Sequence, residues 1–178
     1  MADVGARLDH VGLAVADLTA EASWYCDVFG LVPELTLRVE ALDLSIEMLI
    51  HPEHGYRLEL LHRPGSAADG KPGTPGEAAL REGYGHVAFD VADLDAAYGR
   101  AAARGARPVM PPGPSPERGV RMAFVADPEG NLVELLHRPA PGGDAMILSD
   151  AGLGGLLAGW RRRRCRRPEA RGSSQGRA

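Results

Sequence analysis

The chain has 178 residues, enough for one medium-sized domain with a hydrophobic core, and its 44% hydrophobic and 25% charged residues are typical of globular proteins. The formal net charge of −4 is unevenly distributed, because residues 140–178 hold eight arginines against three acidic residues, which leaves residues 1–139 strongly acidic. An acidic folded part repels nucleic acid, so we expect no nucleic-acid-binding function for it.

Neither secretion nor membrane insertion is indicated. The sequence starts without a basic region followed by an apolar stretch, so we expect no signal peptide. It also lacks a run of about 18 apolar residues that would span a membrane. The two cysteines, Cys26 and Cys165, suggest neither a disulfide framework nor a Cys-x-x-Cys metal motif. We therefore expect a cytoplasmic protein.

The first part of the chain predicts one helix and four strands. An alternating run over 8–15 indicates the first strand. Asp17 is a suitable N-cap for a helix over 18–29, and Gly30 is a suitable C-terminal glycine. Further strands are predicted near 34–40, 43–50 and 56–62. The order in this module one, residues 7–62, is therefore βαβββ.

Module two, residues 84–139, repeats this order. Its predicted elements are a strand near 84–91, a helix over 94–104 capped by Asp93, and strands near 107–110, 119–126 and 131–137. A linker rich in Gly, Pro, Ala and Ser, residues 63–83, joins the modules as a mobile lid or a crossover. The Pro-rich segment 111–119 is a second candidate lid. We expect the C-terminal extension, residues 140–178, to hold a short helix over 146–160 and then a disordered Arg-rich tail.

The two modules are also similar residue by residue. The motif Leu-Asp-His-Val-Gly-Leu-Ala-Val-Ala-Asp-Leu at 8–18 recurs as Tyr-Gly-His-Val-Ala-Phe-Asp-Val-Ala-Asp-Leu at 84–94. Leu-Glu-Leu-Leu-His-Arg-Pro at 58–64 recurs as Val-Glu-Leu-Leu-His-Arg-Pro at 133–139. The chain is thus an internal duplication, and each copy has one histidine near its start and one glutamate near its end.

These repeated residues predict a metal site. His10 and His86 each share a strand face with small residues, which leaves space beside the imidazole. Glu59 and Glu134 lie within apolar strands, where a carboxylate is costly unless it is paired or binds a cation. Two imidazoles and two carboxylates form a mixed N/O donor set that suits Zn, Ni, Co, Mn or Fe(II). Such a site polarises a carbonyl while a glutamate transfers a proton.

Several other residues are weaker candidates for a role in a site. We interpret His62 and His137 as surface residues at strand ends, and Trp24 and Tyr25 as core between helix and sheet. Candidates to line a cavity, all on predicted middle strands, are Arg38, Glu40, Glu47 and Arg121. The turn between the third and fourth strands contributes two weak candidates, His51 and His54.

Four segments together resemble the vicinal oxygen chelate superfamily, which includes glyoxalase I, bleomycin-resistance proteins, extradiol dioxygenases and methylmalonyl-CoA epimerase. The segments that carry the resemblance are 10–18, 24–31, 85–89 and 124–134. The resemblance covers about residues 7–139. It implies an α+β fold in which two tandem βαβββ modules form a curled mixed sheet around a central metal-centred cavity, often with a dimer interface nearby.

The resemblance to glyoxalase I also implies roles for the duplicated residues. The implied metal ligands are His10, Glu59, His86 and Glu134. Glu134 would be the proton carrier, with Glu59 as its partner. We therefore predict a divalent-metal-dependent, glyoxalase-like isomerase or lyase that holds the vicinal oxygens of a small-molecule substrate, in a homodimer. Whether the site forms within one chain or across the dimer stays open.

Three other functions remain alternatives. An epimerase resembling methylmalonyl-CoA epimerase is favoured by Ala14 and Glu40, although such enzymes commonly have Gln where this chain has Glu59. An Fe(II) extradiol-type dioxygenase needs only three of the four ligands. A metal-free resistance protein that binds a drug or another small molecule would generally lack the ligands. Glutathione-dependent members often have Arg where this chain has Ala14, so thiol dependence also stays open.

Overall fold

The computed structural model describes residues 5–68 and 70–138, and the predicted βαβββ order occurs twice in it. The elements of module one are β1 (His10–Ala14), α1 (Leu18–Phe29), β2 (Val32–Val39), a 3-10 helix (Glu40–Leu42), β3 (Leu44–Ile50) and β4 (Arg57–His62). The linker contains one short helix, α2 (Pro75–Ala78). The elements of module two are β5 (Val87–Asp90), α3 (Leu94–Ala103), β6 (Arg107–Pro114), β7 (Arg121–Ala126) and β8 (Leu132–His137).

Both long helices begin at the aspartates that the sequence identifies as N-caps. Asp17 accepts a hydrogen bond from the backbone N–H of Ala20 at 3.0 Å, and Asp93 accepts one from the N–H of Ala96 at 3.0 Å. The first helix ends at Gly30, whose φ of 70° is a left-handed conformation that glycine adopts without a Cβ clash. The predicted bounds of this helix are therefore confirmed at both ends.

Each module forms one four-stranded mixed sheet. The strand orders are β1-β4-β3-β2 and β5-β8-β7-β6. In each sheet the first pair of neighbours is parallel and the other two pairs are antiparallel. The parallel pairs are β1 with β4 and β5 with β8. In each pair the first strand starts at or just after a candidate histidine, and the second contains a candidate glutamate. The topology thus places the His and Glu of each module side by side.

One face of each sheet packs against the helices, and the two modules share one hydrophobic core. The strand residues at most 3% exposed on this face include Leu58, Leu60, Val133 and Leu135. Phe29 of α1 stacks on Phe89 of β5 with ring centroids 4.1 Å apart, so the core continues from one module into the other. Trp24 and Tyr25 are 5% and 0% exposed, which confirms their prediction as core. Because side chains alternate along a strand, the candidate glutamates project from the opposite face.

The predicted α+β class and the mixed sheets are confirmed, but two local predictions are wrong. The candidate lid 111–119 is not a loop throughout, because β6 runs through Pro114. This strand lies at a sheet edge, where a missing backbone N–H costs no ladder hydrogen bond. Glu40 lies in the 3-10 helix instead of on a strand, whereas Glu47 lies on β3 as predicted.

Two other predictions concern membrane insertion and the C-terminal extension. Within residues 5–68 and 70–138, none of the helices is long and apolar enough to cross a membrane. The predicted short helix over 146–160 and the Arg-rich tail lie outside the residues that the structure describes.

Candidate metal centre

The first half of the candidate site lies where β1 and β4 run side by side. The Nε2 atom of His10 is 3.4 Å from Oε2 of Glu59. The Nδ1 atom of His10 is 2.9 Å from Oδ2 of Asp9, and this hydrogen bond, together with the charge of Glu59, raises the pKa of the imidazole. The His10 and Glu59 side chains are 37% and 20% exposed, so solvent reaches both groups in the single chain.

A glycine makes room for the carboxylate in this half-site. Gly12 lies opposite Glu59 in the parallel register. A Cβ atom on Gly12 would lie 3.3 Å from Oε2 of Glu59, which is closer than ordinary van der Waals contact. The Glu59 carboxylate therefore occupies the space that the sequence predicts beside His10. A residue larger than glycine at position 12 would displace this carboxylate.

The second half-site repeats this geometry between β5 and β8. The Nε2 atom of His86, which immediately precedes β5, is 3.0 Å from Oε2 of Glu134. The rings of His86 and Phe124 lie edge to face, with a centroid distance of 5.2 Å and an interplanar angle of 83°. Ala88, the equivalent of Gly12, lies opposite Glu134. At 13% exposure, Glu134 is the most enclosed of the four candidate donors.

The four predicted donors form two pairs, and the pairs are separate within one chain. Among the residues that the structure describes, no three or more His, Cys, Asp or Glu side chains are grouped so that they could hold a metal ion. His10 and His86 nevertheless line one cavity of about 690 Å³, to which residues of β1, β5 and the linker contribute. The chain thus presents two His–Glu half-sites instead of one four-donor cluster.

The geometry of each half-site fits a divalent transition metal. Two donor atoms that each lie about 2.1 Å from one ion, at roughly a right angle, are about 3.0 Å from each other. The Nε2–Oε2 distances of 3.4 Å and 3.0 Å agree with this separation. Two such pairs would also leave two positions of an octahedron open for oxygens of water or substrate.

The histidines at the ends of the last strands have a structural role that the sequence does not predict. The Nδ1 atom of His62 is 3.1 Å from the carbonyl oxygen of Val15, and that of His137 is 3.0 Å from the carbonyl oxygen of Val91. Both histidines are half-buried. They therefore link the end of the last strand to the segment after the first strand, in the same way in both modules.

The two arginines proposed to line a cavity are held in ion pairs. An Nη1 atom of Arg121 is 2.7 Å from Oδ2 of Asp95 on α3. Arg38 pairs with Asp43 and donates a hydrogen bond to Oγ of Ser45 at 2.8 Å. These charges are thus paired at the module surfaces and lie outside both half-sites.

A polar contact between the modules is not predicted by the sequence. We name it the closed junction, and its residues are Glu21, Tyr25, Asp127 and Glu129. The Glu129 carboxylate accepts hydrogen bonds from the backbone N–H groups of Ala16 and Asp17 at 2.7 to 2.9 Å. The Tyr25 hydroxyl donates to Asp127 at 3.1 Å. The turn before β8 is thereby fixed to the start of α1.

Glu21 is a buried acid at the centre of the closed junction. It is 0% exposed, and its Oε1 atom accepts a hydrogen bond from the N–H of Glu129 at 3.0 Å, while Oε2 has no partner among the described residues. Burial, followed by the negative charges of Asp127 and Glu129, raises the pKa of Glu21 to about 8. The side chain is therefore protonated at neutral pH. The sequence contains no signal for this role, because Glu129 is 108 residues away.

Comparisons with known proteins agree with this architecture. Residues 7–135 match the family model of the Glyoxalase/Bleomycin resistance protein/Dioxygenase superfamily. A probable lactoylglutathione lyase from Synechocystis sp. is 26% identical over 137 residues, covering 72% of this chain and 92% of that protein. A probable lactoylglutathione lyase from Vibrio cholerae is 28% identical over 135 residues, covering 74% and 90%.

Two solved structures share the fold. A glyoxylase/bleomycin resistance protein/dioxygenase domain from Frankia sp. superimposes with a TM-score of 0.60 at 23% identity, covering 74% of this chain and 97% of that one. Glyoxalase I from Zea mays gives a TM-score of 0.60 at 23% identity, covering 74% of this chain and 44% of that one. At these identities the similarity describes architecture alone.

Proposed function

The chain belongs to the glyoxalase/bleomycin resistance protein/dioxygenase superfamily, and on this basis we propose that it is a divalent-metal-dependent lyase or isomerase of the glyoxalase type. The observation that carries the proposal is the duplicated His–Glu pair, His10 with Glu59 and His86 with Glu134, at 3.4 Å and 3.0 Å. The names of the relatives, probable lactoylglutathione lyases, support the same class of reaction. The substrate would be a small molecule with two neighbouring oxygens.

The complete centre would form in a homodimer. Because the half-sites are separate within one chain, four donors meet only if one half-site faces the opposite half-site of a second copy. Leu35 and Leu37 of β2 support this arrangement, because each is 46% exposed and the strand register places Leu35 in the same row as Glu59. Exposed apolar side chains on a donor-bearing face favour coverage by another subunit. A twofold axis would then create two identical centres.

The chain's own residues supply the proton chemistry. When bound, the cation supplies the Lewis acidity that polarises a substrate carbonyl. Glu134 removes the proton from the carbon beside the carbonyl and returns it to the adjoining carbon. One C–H bond breaks and another forms, so the step needs no oxidant or reductant. The low exposure of Glu134 limits exchange of this proton with water. The hydrogen bond of 2.9 Å between Asp9 and Nδ1 orients the His10 ring, which leaves Nε2 and the partner carboxylate of Glu59 to hold the cation.

Metal analysis of freshly purified protein tests the proposed centre. We expect about one transition-metal ion per chain and its loss in His86→Ala, because one of four ligands is removed. His54→Ala is the matched control, since it removes an exposed imidazole of the turn before β4. Wild-type protein without metal, or equal metal content in both variants, would contradict the proposal. Metal-free protein that retains a tightly bound organic molecule would instead favour a binding protein.

The role of Glu134 is tested by isomerisation of the hemithioacetal of a 2-oxoaldehyde. We expect Glu134→Gln to lower turnover by about 10²- to 10⁴-fold, because an amide cannot accept the proton, with little change in substrate affinity. Metal content is measured in parallel, which separates loss of the base from loss of the metal. Turnover equal to wild type in the metal-loaded variant would remove the base assignment.

A further inference from the structure

The second contact between the modules differs from the closed junction. We name it the open junction. Here the turn 51–56 of module one faces the start of α3, in the same way as the turn before β8 faces the start of α1 in the closed junction. In place of a polar contact it holds a cavity of about 840 Å³ between the two modules. This volume lies within the range of small-molecule binding sites.

Small residues of α3 stand where α1 has the large side chains of the closed junction. Counted from the two N-caps, Ala97 and Ala101 of α3 are the equivalents of Glu21 and Tyr25 of α1. The substitutions remove a carboxyl group and a phenol ring from the junction. Ala97 lines the cavity, so its small side chain contributes directly to the open space.

Aromatic rings form the walls of this cavity. Phe29, Tyr56 and Phe89 line it, and the Tyr56 ring centroid is 5.7 Å from that of Phe89. The ring of His51 is 5.1 Å from Tyr56 and stacks on His54 at 4.4 Å. Walls of this kind bind planar aromatic groups better than saturated groups of the same size, because ring faces and edges attract one another.

His51 adds a hydrogen-bond donor to the aromatic wall. Its Nδ1 atom accepts hydrogen bonds from the backbone N–H groups of Glu53 and His54, both at 3.2 Å. In the neutral ring the proton is therefore on Nε2. Gly30 also lines the cavity, and a Cβ atom added to it would lie 3.9 Å from Nε2 of His51. A ligand oxygen could accept its hydrogen bond.

The charged side chains that line the cavity carry both signs, and four of the five have a protein partner, which for Asp90 is the N–H of Arg138. Two arginines and three aspartates line it. Arg57 is bound by Glu34, with an Nε–Oε2 distance of 2.6 Å, and Asp9 lies 2.9 Å from His10. The carboxylate of Asp93 accepts the N-cap hydrogen bond of α3. An uncharged ligand therefore avoids both desolvation of a charge and repulsion by the groups that line the cavity.

We propose that the open junction is a binding site for a planar, uncharged aromatic molecule that carries one acceptor oxygen. The ring lies against the aromatic wall of Tyr56 and Phe89, and the oxygen accepts a hydrogen bond from His51. His10 of the first half-site also lines this cavity, but the proposed contacts use none of the four candidate metal donors. Its walls come from both modules, so a bound molecule bridges them where the closed junction uses protein side chains.

Calorimetric titration of the full chain with 2-naphthol tests the chemistry of the ligand. Decahydro-2-naphthol is the matched compound, because it keeps the hydroxyl and the carbon skeleton but has no aromatic face. We expect 2-naphthol to bind and its saturated counterpart to bind about three- to tenfold more weakly. The anion 2-naphthoate should bind more weakly than 2-naphthol. Absent binding, equal affinity of the saturated compound, or tighter binding of the anion would overturn the proposal.

Variants of two helix residues test where 2-naphthol binds. Ala97→Phe fills the cavity and should abolish binding, whereas Ala96→Phe, at an exposed neighbour on the same helix, should leave it unchanged. Tyr56→Leu keeps an apolar side chain but removes a ring, and should weaken binding about three- to tenfold. Circular dichroism confirms that each variant is folded. Unchanged affinity in folded Ala97→Phe would overturn the assignment. If Ala97→Phe does not fold, unchanged affinity in Tyr56→Leu would overturn it.

Discussion

The closed and open junctions occupy equivalent places in a duplicated fold, yet they are filled in opposite ways. In the closed junction, Glu129 binds the start of α1 and Glu21 fills the space beneath it. Glu53 is the equivalent of Glu129, because each is the third residue after the preceding strand, β3 or β7. In the open junction Glu53 is exposed, and Ala97 leaves room. One junction therefore fixes the modules to each other through side chains, and the other keeps a cavity.

The half-sites behave differently from the junctions, because both copies keep the same residues. A His Nε2 atom lies within 3.4 Å of a Glu carboxylate oxygen in each module, and each last strand ends in a histidine bonded to a carbonyl group. Within one chain, the duplication thus separates residues that both copies keep from residues that differ between the two junctions. The duplicated residues are the better candidates for chemistry, and the diverged ones distinguish one junction from the other.

The largest effect is expected from the buried carboxyl group of Glu21. Its pKa of about 8, against 4.5 for the ordinary group, means that the folded chain keeps a proton that the unfolded chain has released. The unfolding free energy therefore falls as pH rises from about 5 to about 8, by on the order of 1 kcal/mol per pH unit. Glu21→Gln keeps an acceptor oxygen and cannot ionise, so its contribution does not depend on pH.

Urea unfolding at several pH values between about 5 and 8 measures this difference. The stability of Glu21→Gln relative to wild type should increase steadily with pH. Ala97→Gln, which places the same side chain at the equivalent position of α3, is the matched control and should show the pH dependence of wild type. A difference between Glu21→Gln and wild type that stays constant with pH would show that Glu21 does not hold the proton.

The next largest effect is expected at the acceptor of the closed junction. Glu129→Ala leaves the N–H groups of Ala16 and Asp17 without their carboxylate, which should lower the unfolding free energy by about 2 kcal/mol. Glu53→Ala, the same change at the exposed equivalent position, should alter it by less than about 0.5 kcal/mol. Chemical unfolding at one pH compares the two variants. Equal losses would mean that the junctions do not differ in this contact.

The features that the sequence predicts best depend on local spacing. Asp17 and Asp93 mark helix starts because an N-cap needs only a side chain three residues before a free N–H group. The four-residue donor set is predicted because the repeat aligns a histidine and a glutamate in each copy. The structure brings these residues together as pairs, because each pair lies on two neighbouring parallel strands of the same module and does not depend on how the modules dock.

The features that the sequence does not predict depend on how the modules dock. Alternation within a strand determines which side chains share a face, but not which face meets another module. The closed junction therefore escapes prediction, since Glu21 and Glu129 belong to different modules. The separation of the two half-sites is not predicted either, because it also depends on how the modules dock. The misassigned lid at 111–119 has another cause, because proline is read as a loop residue although an edge strand tolerates it.

A smaller effect, equal in both modules, is expected from the histidines at the ends of the last strands. His62→Ala and His137→Ala each remove one hydrogen bond to a backbone carbonyl group, so each should lower the unfolding free energy by about 1 kcal/mol. Urea unfolding of the two variants gives both values. Losses that differ severalfold would indicate that these histidines, like the junctions, have diverged.

The smallest effect is expected beside the first half-site. Gly12→Ala places a Cβ 3.3 Å from the Glu59 oxygen and should displace the carboxylate by a few tenths of an ångström. If the proposed centre holds a metal, loss of the metal to a chelator should then be about two- to threefold faster, a free-energy change below about 1 kcal/mol. Ala88→Gly is the reciprocal change and only removes a methyl group opposite Glu134, so metal retention should match wild type. Faster loss in Ala88→Gly than in Gly12→Ala would show that crowding by the Cβ does not set the carboxylate position.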